Sequence, residues 1–326
     1  MENNSLKEIW KFLTSKKKIA LVLHPTPDGD SVGSCTALKL ALEQNSECKA
    51  DIFSKDMPDD YLMETGYFDN LIIKESNSQE MNKYEAIVAL DCGDKNRALN
   101  SLENPEKLEI PIINIDHHDS NPYYGKLNHV DKNSISACSI VLKLLKENNI
   151  KINKEIAEIL LIGIITDSNF FRVGQNLNNA IADTKELIDL GADYKKVVNQ
   201  LYKIPLKVKK YQTEIIKNLK VEGDLAYCII DNKKIKELNV NPGEVSLGNK
   251  VLDDLKETSI YFVLSEREEG KIKCSLRSRD GNKYDVSKIA LKFDGGGSKQ
   301  AAGFITKKPM QEILNLILRE IKNLKP

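Results

Sequence analysis

Four short apolar runs in the first half of the chain constrain its fold more than any other feature. They are KKIALVLHP (17–25), KADIFS (49–54), YEAIVALDCGD (84–94) and IPIINIDHH (110–118). Each run has the length of a buried strand, and segments with apolar residues at helical spacing lie between and after the runs. This alternation is typical of a parallel sheet covered by helices. We therefore predict an α/β fold whose N-terminal domain has a mostly parallel sheet flanked by helices.

The length of the chain and a change in its pattern indicate a second domain. A chain of 326 residues is longer than one hydrophobic core normally serves. After residue 203 a lysine-rich amphipathic segment leads to new strand candidates at 224–231, 259–266 and 271–279. We predict an N-terminal domain over 1–200, a connector helix over 201–220 and a smaller C-terminal α/β domain over 221–326.

Charge and composition narrow the classes of partner. Lysine plus arginine and aspartate plus glutamate both total 48, so the formal net charge is zero. Proteins that bind long nucleic acid normally carry a basic excess, so we expect a small or short phosphorylated ligand instead. No apolar stretch has the length of a membrane span, which predicts a cytoplasmic protein without a membrane partner. Six scattered cysteines indicate reduced, packed thiols.

Acidic and imidazole side chains appear where apolar runs end. In a parallel α/β sheet the carboxyl ends of the strands share one edge, where ligands bind, so these side chains are expected to converge. Taken one at a time, each has a simpler interpretation as a helix cap or a loop residue. Three of the four histidines nevertheless belong to the set, and His129 stands apart. The candidates are His24, Asp28, Asp30, Asp91, Asp94, Asp116, His117, His118, Asp119 and Asp167.

The mixture of imidazole and carboxylate groups indicates a metal centre. Mixed nitrogen and oxygen ligands suit Mn²⁺, Fe²⁺ or Zn²⁺, and Mn²⁺ is favoured where carboxylates dominate. The ligands exceed the needs of one ion, which predicts two ions bridged by a shared carboxylate. The reaction class expected of such a centre is metal-assisted hydrolysis of a phosphoester.

Four motifs resemble those of the DHH phosphoesterases and occur in the same order. They are HPTPDGDSVGS (24–34), LDCGD (90–94), IDHHDSN (115–121) and GIITDSNFF (163–171). The second half resembles the associated DHHA1 domain through SLRSR (275–279) and DVSKIALKFDGGGSKQAAGF (285–304). Two-domain members include NrnA-type bifunctional oligoribonucleases and phosphatases of 3'-phosphoadenosine 5'-phosphate (pAp). Others are cyclic-di-AMP/pApA phosphodiesterases.

The resemblance implies a role for each residue of the centre. It assigns one Mn²⁺ to His24 and Asp28, and a second Mn²⁺ to Asp30, His117 and Asp167. Asp91 would bridge both ions and be catalytic, and other divalent ions could replace manganese. His118 would face the scissile phosphate as a catalytic group. Asp116 would orient a metal-binding imidazole from behind.

In the DHHA1 half the resemblance implies a substrate-binding set. Glycines can let backbone N–H groups approach a phosphate, and the planar fork of Arg277 matches phosphate oxygens. The family usually has a histidine after the glycine triplet, where this chain has Ser298, so substrate preference is open at this position. The simpler interpretations are a flexible turn and a solvated strand face. The set comprises Ser275, Arg277, Gly295, Gly296, Gly297, Ser298 and Lys299.

The resemblance favours a Mn²⁺-dependent phosphoesterase that hydrolyses short RNA or DNA oligonucleotides to mononucleotides, with pAp as a further substrate. In the same fold, the alternative is a cyclic-di-AMP/pApA phosphodiesterase. A pyrophosphatase with a similar metal site is disfavoured by SLRSR and by the glycine triplet, which resemble a nucleotide-binding domain. A non-enzymatic nucleotide-binding regulatory module would be expected to have lost a ligand position, and all six are present. The protein could act alone or as a homodimer.

Overall fold

A computed structural model describes residues 2–100, 102–172, 176–267 and 270–324. The chain divides into two compact units, residues 1–203 and 204–326. The helices are α1 (Leu6–Thr14), α2 (Gly29–Asn45), α3 (Asp60–Met63), α4 (Ser78–Met81), α5 (Lys95–Ala98), α6 (Ala137–Glu147), α7 (Lys154–Asp167), α8 (Leu177–Asp189), α9 (Tyr194–Leu201), α10 (Leu206–Lys217), α11 (Asn232–Glu237), α12 (Pro242–Asn249), α13 (Val286–Leu291) and α14 (Met310–Leu324). The strands are β1 (Lys18–Val22), β2 (Lys49–Ser54), β3 (Leu71–Ile73), β4 (Ser76–Asn77), β5 (Ile87–Leu90), β6 (Leu102–Glu103), β7 (Ile112–Asp116), β8 (Leu127–Val130), β9 (Lys220–Glu222), β10 (Leu225–Ile230), β11 (Ile260–Glu266), β12 (Ile272–Ser278), β13 (Gly296–Gly297) and β14 (Ala301–Thr306).

The first unit is built on a six-stranded sheet in the order β3-β2-β1-β5-β7-β8. All of its strand pairs are parallel, so the predicted α/β fold with a parallel N-terminal sheet is confirmed. The chain moves outward from β1 to β2 on one side and later to β5 on the other side. The carboxyl ends of β1 and β5 therefore form the point of reversed strand order, which is where open α/β sheets bind ligands.

Burial on both faces explains the unbroken apolar runs of the central strands. The whole of β5 and β7 is buried, and only Lys18 of β1 is exposed. One face packs against a core that includes residues of α1, α2, α6 and α7, and a second apolar cluster covers the other face. Strands covered on both faces read as continuous apolar segments instead of alternating ones. All six cysteines are buried and free, as predicted.

The second unit has a mixed sheet in the order β13-β14-β12-β11-β10-β9, in which β10 and β11 are parallel and the other pairs are antiparallel. Residues of α13 and α14 pack on one face, and residues of α10 and α12 pack on the other. The predicted smaller α/β domain is therefore confirmed. The segment expected to be a connector helix contains α10, whose Val208, Tyr211 and Ile215 are buried in this second core.

The described part of the chain has no helix that combines the length and the hydropathy needed to cross a bilayer.

A buried carboxylate ties α7 to α9 in the first unit. Glu158 of α7 is 2% exposed and accepts hydrogen bonds from the hydroxyl of Tyr67, from the backbone N–H of Asp193 at 3.1 Å and from Nζ of Lys196 at 3.0 Å. Burial opposes ionisation of Glu158. The hydrogen bonds outweigh burial and hold its pKa below the usual value. The network therefore stabilises the fold only while Glu158 is ionised.

We expect Glu158→Gln to lower the free energy of unfolding by about 1–3 kcal/mol, because the buried donors lose a charged acceptor. The folded pKa lies below the unfolded one, so this contribution is present above about pH 4.3 and is lost as the pH falls through the folded pKa. Urea denaturation at pH 7 and pH 3 measures both effects. Equal destabilisation at the two pH values would contradict an ionic contribution from Glu158.

Candidate metal centre

His24 and Asp28 lie in the loop that joins β1 to α2. His24 is 3% exposed, and its Nδ1 is 2.8 Å from the carbonyl oxygen of Pro25. That hydrogen bond leaves Nε2 as the free nitrogen, 3.7 Å from Oδ1 of Asp28. Asp28 caps α2 by accepting from the N–H groups of Asp30 and Ser31. Asp28 is therefore the helix cap that the simpler interpretation of this loop predicts. The same carboxylate also lies beside the imidazole of His24.

Asp91 is the residue that the two halves of the cluster share. It follows β5 directly, is 4% exposed and adopts a left-handed backbone with φ of 56°. Its Oδ2 is 3.3 Å from Nε2 of His24, and its Oδ1 is 3.3 Å from Nε2 of His117. Aspartate is one of the few residues besides glycine that adopt this backbone readily. Asp91 thus reaches both imidazoles with different oxygens.

A second group forms around His117, which follows β7. Its Nε2 is 3.7 Å from Oδ2 of Asp167 and 3.9 Å from Oδ2 of Asp30. Asp30 belongs to the first turn of α2 and Asp167 is the last residue of α7, so helices deliver these two carboxylates. The expectation that all candidates come from strand ends is therefore wrong for this pair. Asp30, which is fully buried, also accepts from the N–H groups of Ala137 and Cys138 where α6 begins.

Two glycines allow α2 and α7 to pack closely beside the carboxylates. A Cβ on Gly163 would lie 2.2 Å from Sγ of Cys138 and 2.9 Å from Oδ1 of Asp30. A Cβ on Gly29 would lie 2.3 Å from Oγ1 of Thr166. Both glycines therefore let α2 and α7 approach closely enough to bring their carboxylates together.

His118 has its own carboxylate partner, Asp116, and with Asp91, Asp116 and His117 it forms a third group whose ligand atoms lie within 4.8 Å of one another. Its side chain is 41% exposed, and its Nδ1 is 2.8 Å from Oδ1 of Asp116. The other oxygen of Asp116 accepts from Nδ2 of Asn121 at 2.5 Å, and Asn121 also bonds Asn114. The imidazole that Asp116 contacts is that of His118, because its carboxylate at the end of β7 faces that ring. Its predicted role toward a metal-binding imidazole stays a prediction.

Electrostatics shows that the buried carboxylates of the cluster repel one another. Burial and the nearby charge of Asp91 raise the pKa of Asp30 to about 7. Burial and the charge of Asp30 also raise the pKa of Asp167. Burial disfavours ionised Asp91, yet hydrogen bonds from His117 and His24 outweigh it and lower the pKa of that carboxyl. Carboxylates crowded in a buried site need a cation to remain ionised.

The donor atoms fit divalent ions. Ligand atoms of His24, Asp28 and Asp91 lie within 4.8 Å of one another, and so do those of Asp30, His117 and Asp167. Mixed imidazole and carboxylate sets of this kind suit Mn²⁺, Fe²⁺ or Zn²⁺. All six candidates for metal binding are therefore brought together in two groups, which Asp91 connects.

One further candidate, Asp94, and two residues outside the candidate set, His129 and Arg97, lie near or beside the centre or on the same sheet. Asp94 caps the short helix α5 by accepting from the N–H of Arg97 at 2.9 Å, so the capping interpretation applies to it. His129 lies on β8, where its Nδ1 is 3.0 Å from the carbonyl oxygen of Asn4. Sequence reasoning missed Arg97, whose guanidinium is 3.4 Å from Nδ1 of His24. The available signal was its position three residues after the capping Asp94.

The second unit presents Ser275 and Arg277 on the same face of β12. Both side chains are half-buried and alternate with buried neighbours. Nη1 of Arg277 donates only to the adjacent carbonyl of Leu276 among its described contacts. Arg279 lies just after the strand, and its guanidinium donates to the carbonyl of Asp253 at 3.0 Å. Arg277 is thus the better placed of the two arginines to receive an anion.

The glycine triplet forms part of a β-hairpin. Gly296 and Gly297 form β13, which pairs with β14. A Cβ on Gly295 or Gly297 would lie 2.3 Å from a backbone oxygen, whereas one on Gly296 would meet open space. Ser298 is exposed, and its Oγ accepts from the N–H of Ala301 at 3.1 Å. Lys299 is also exposed.

Comparison with protein families agrees with this geometry. Residues 18–164 match the model of the DHH family, N-terminal domain, and residues 224–324 match the DHHA1 domain. The two matches lie in order and contain every element that carries the candidate ligands except the end of α7. The chain therefore contains a DHH domain followed by a DHHA1 domain, and it is a phosphoester hydrolase.

Similar proteins cover most of the chain. A probable bifunctional oligoribonuclease and PAP phosphatase, NrnA, of Streptococcus mutans is 24% identical over 86% of this chain and 86% of that protein. A probable manganese-dependent inorganic pyrophosphatase of Bacillus velezensis is 26% identical over 77% of this chain and 79% of that protein. The crystal structure of an exopolyphosphatase-related protein from Bacteroides fragilis has a TM-score of 0.87 with 21% identity, covering 98% and 96% of the two chains.

Proposed function

We propose that the protein is a Mn²⁺-dependent phosphoesterase that hydrolyses very short oligonucleotides to mononucleotides and removes a phosphate from pAp. The observation that carries the proposal is the sharing of Asp91 between two groups of ligands. One ion would be held by His24, Asp28 and Asp91. The second would be held by Asp30, His117, Asp167 and Asp91.

Paired divalent ions lower the pKa of water and stabilise charge on phosphoryl oxygens. The protein's own contribution is to hold the groups that surround the scissile phosphate. Burial lowers the pKa of His118, but the hydrogen bond to Asp116 outweighs it, so the pKa is raised and the protonated form of the ring is favoured. With Nδ1 bonded to Asp116, Nε2 is free to donate that proton to the leaving oxygen.

Substrate recognition is assigned to the second unit in this proposal. Arg277 offers a fork of donors that matches phosphate oxygens, and Ser275 adds a hydroxyl on the same face. The hairpin at Gly296 leaves backbone open to a ligand, with Ser298 and Lys299 beside it. These groups would bind the end of the substrate that is not cleaved.

The nature of the substrate follows from charge and from the relatives. The zero net charge of the chain disfavours a long polyanion, which normally requires a basic surface. The relative from Streptococcus mutans is named as an oligoribonuclease and PAP phosphatase. The relative from Bacillus velezensis is named as manganese-dependent. Short nucleotides and Mn²⁺ satisfy all three observations.

Arg277→Ala is expected to lower kcat/KM for pAp and dinucleotides about 10- to 100-fold, mainly through KM. The reason is the loss of a charged hydrogen bond, worth about 1.5–3 kcal/mol. Arg279→Ala is the matched control, because it removes the same charge only two residues along the chain. The guanidinium of Arg279 already donates to the carbonyl of Asp253, so we do not expect it to bind substrate. Steady-state kinetics at saturating Mn²⁺ measures both. Equal losses of kcat/KM in the two variants would show that Arg277 does not bind the substrate.

A substrate panel with Mn²⁺ tests the proposed function. It compares pAp, oligonucleotides of two to ten residues, pApA, cyclic-di-AMP and pyrophosphate. We expect pAp and dinucleotides to lead and turnover to fall steeply with length. Preference for cyclic-di-AMP or pyrophosphate, or efficient processive digestion of long single strands, would overturn the assignment.

Ser298→His in the same panel tests the departure from the family pattern. A histidine there adds a pH-sensitive donor beside the hairpin, so a change in substrate order or in KM is expected. An unchanged order and unchanged KM values would show that the substitution is neutral.

A further inference from the structure

Arg97 lies at the edge of the metal centre and has no role in the chemistry described so far. We propose that its guanidinium binds a phosphate oxygen of the substrate on the His24 side of the centre. The proposal rests on the proposed function, since it deepens the account of how that site holds a phosphoester. It assigns a phosphate-binding residue to the first unit, in addition to those proposed for the second.

The local structure holds Arg97 in a defined place. Asp94 caps α5 by accepting from the N–H of Arg97, and the backbone of this single turn is closed by the bond from Ala98 N to Asp94 O at 3.1 Å. Ala98 and Leu99 are 0% and 3% exposed and pack into the apolar cluster of the sheet. One side of the turn is therefore anchored in the core, while Arg97 itself is exposed on the other.

The guanidinium of Arg97 does not donate a hydrogen bond to His24, although the two side chains are in contact. The carbonyl oxygen of Pro25 lies 2.8 Å from Nδ1 of His24, a distance that requires the proton to be on Nδ1. A protonated Nδ1 has no lone pair for Nη2 of Arg97, which is 3.4 Å away. Within the described residues, no hydrogen bond from the guanidinium to another protein group is seen. Its donors therefore face the edge of the centre without an acceptor.

The chemistry of the position favours a phosphate ligand over a further metal-binding role. The metal-facing nitrogen of His24 is Nε2, directed toward Asp91 and Asp28, whereas Arg97 approaches the opposite nitrogen. A guanidinium cannot ligate a cation, but its planar fork binds two oxygens of a phosphate. An anionic substrate drawn to the centre would therefore meet Arg97 at its edge.

The test uses Arg97→Ala and Arg97→Lys in the full-length protein. The control is Arg319→Ala, which removes the same charge from an exposed position of α14, where the side chain is 66% exposed. The kinetic parameters for pAp and a dinucleotide are measured at saturating Mn²⁺, together with the Mn²⁺ concentration for half-maximal activity. Binding of AMP to the Mn²⁺-loaded protein is measured by calorimetry.

We expect Arg97→Ala to lower kcat/KM and AMP affinity about 10- to 100-fold with unchanged Mn²⁺ activation, as for loss of a charged hydrogen bond. Arg97→Lys should recover part of the loss, because it keeps the charge without the fork. A shift in Mn²⁺ activation with unchanged KM and AMP affinity would overturn the proposal and make Arg97 a positioning residue for His24. If the wild-type protein turns over neither substrate, the proposed function fails, and AMP binding alone then decides the role of Arg97.

Discussion

Asp91→Asn is expected to lower kcat/KM by about 10³-fold or more, with the fold retained. Asp91 contacts His24 with one oxygen and His117 with the other, so its loss removes the group that connects both sets of ligands. Removing a single group that stabilises transition-state charge commonly costs 10²–10³-fold, and a bridging ligand serves two ions. Asparagine has nearly the same shape and tolerates the left-handed backbone that Asp91 adopts.

The control for this variant is Asp119→Asn, which makes the same change at an exposed position close to the histidine pair. Its kcat/KM should stay within about three-fold of wild type, as expected for a surface change at a residue outside the ligand groups. Thermal melting of both variants verifies folding. More than one tenth of the wild-type activity in folded Asp91→Asn would contradict a bridging role.

His118→Ala is expected to lower kcat about 10²- to 10⁴-fold while Mn²⁺ binding stays intact. The range is that of a general acid or base removed from a reaction. His118 bonds Asp116 and lies 3.7 Å from Asp91, outside the two three-residue groups proposed to hold the ions. Kinetics and Mn²⁺ calorimetry on the same preparation separate turnover from metal binding.

Two other histidines provide the comparison. His117→Ala should weaken Mn²⁺ binding, because its Nε2 belongs to a ligand group. His129→Ala should leave kcat near wild type, since that ring bonds the backbone of Asn4 instead. A loss of Mn²⁺ binding in His118→Ala as large as that in His117→Ala would refute different roles for the adjacent imidazoles.

The sequence predicted the parallel sheet because its central strands are apolar throughout. His24, Asp91 and His117 could be placed together because each follows a strand of that sheet, and parallel strands end at one edge. Asp28 follows β1 closely enough to share that position, whereas Asp30 lies in the first turn of α2. The convergence of ligands thus follows from local patterns combined with one rule of topology.

Contacts between residues far apart in the chain could not be predicted from local sequence patterns. The bond of Asp30 to the start of α6 joins residues more than 100 positions apart. Asp116 is followed directly by His117 and His118. It bonds His118 because of the direction that its side chain takes at the end of β7. Arg97 approaches His24 across 73 positions, through a helical turn too short to show apolar periodicity. Packing of separate elements decides each of these contacts.

The sequence left the role of the glycine triplet open for a related reason. Three consecutive glycines carry no apolar pattern, so the alternatives of a phosphate cradle and a flexible turn could not be separated by sequence. Pairing of β13 with β14 orders the segment, and close backbone contacts explain two of the glycines. Gly296 alone leaves space for a ligand.

The number of Mn²⁺ ions bound per chain is the most direct test of a two-ion centre connected by Asp91. Calorimetry and metal analysis of the wild-type protein and Asp91→Asn, both first stripped with a chelator, measure it. The account predicts two ions in the wild type, restored activity when both are bound, and loss of at least one ion in the variant. A wild-type protein that reaches full activity with one ion, or an Asp91→Asn variant that still binds two ions with unchanged affinity, would contradict it.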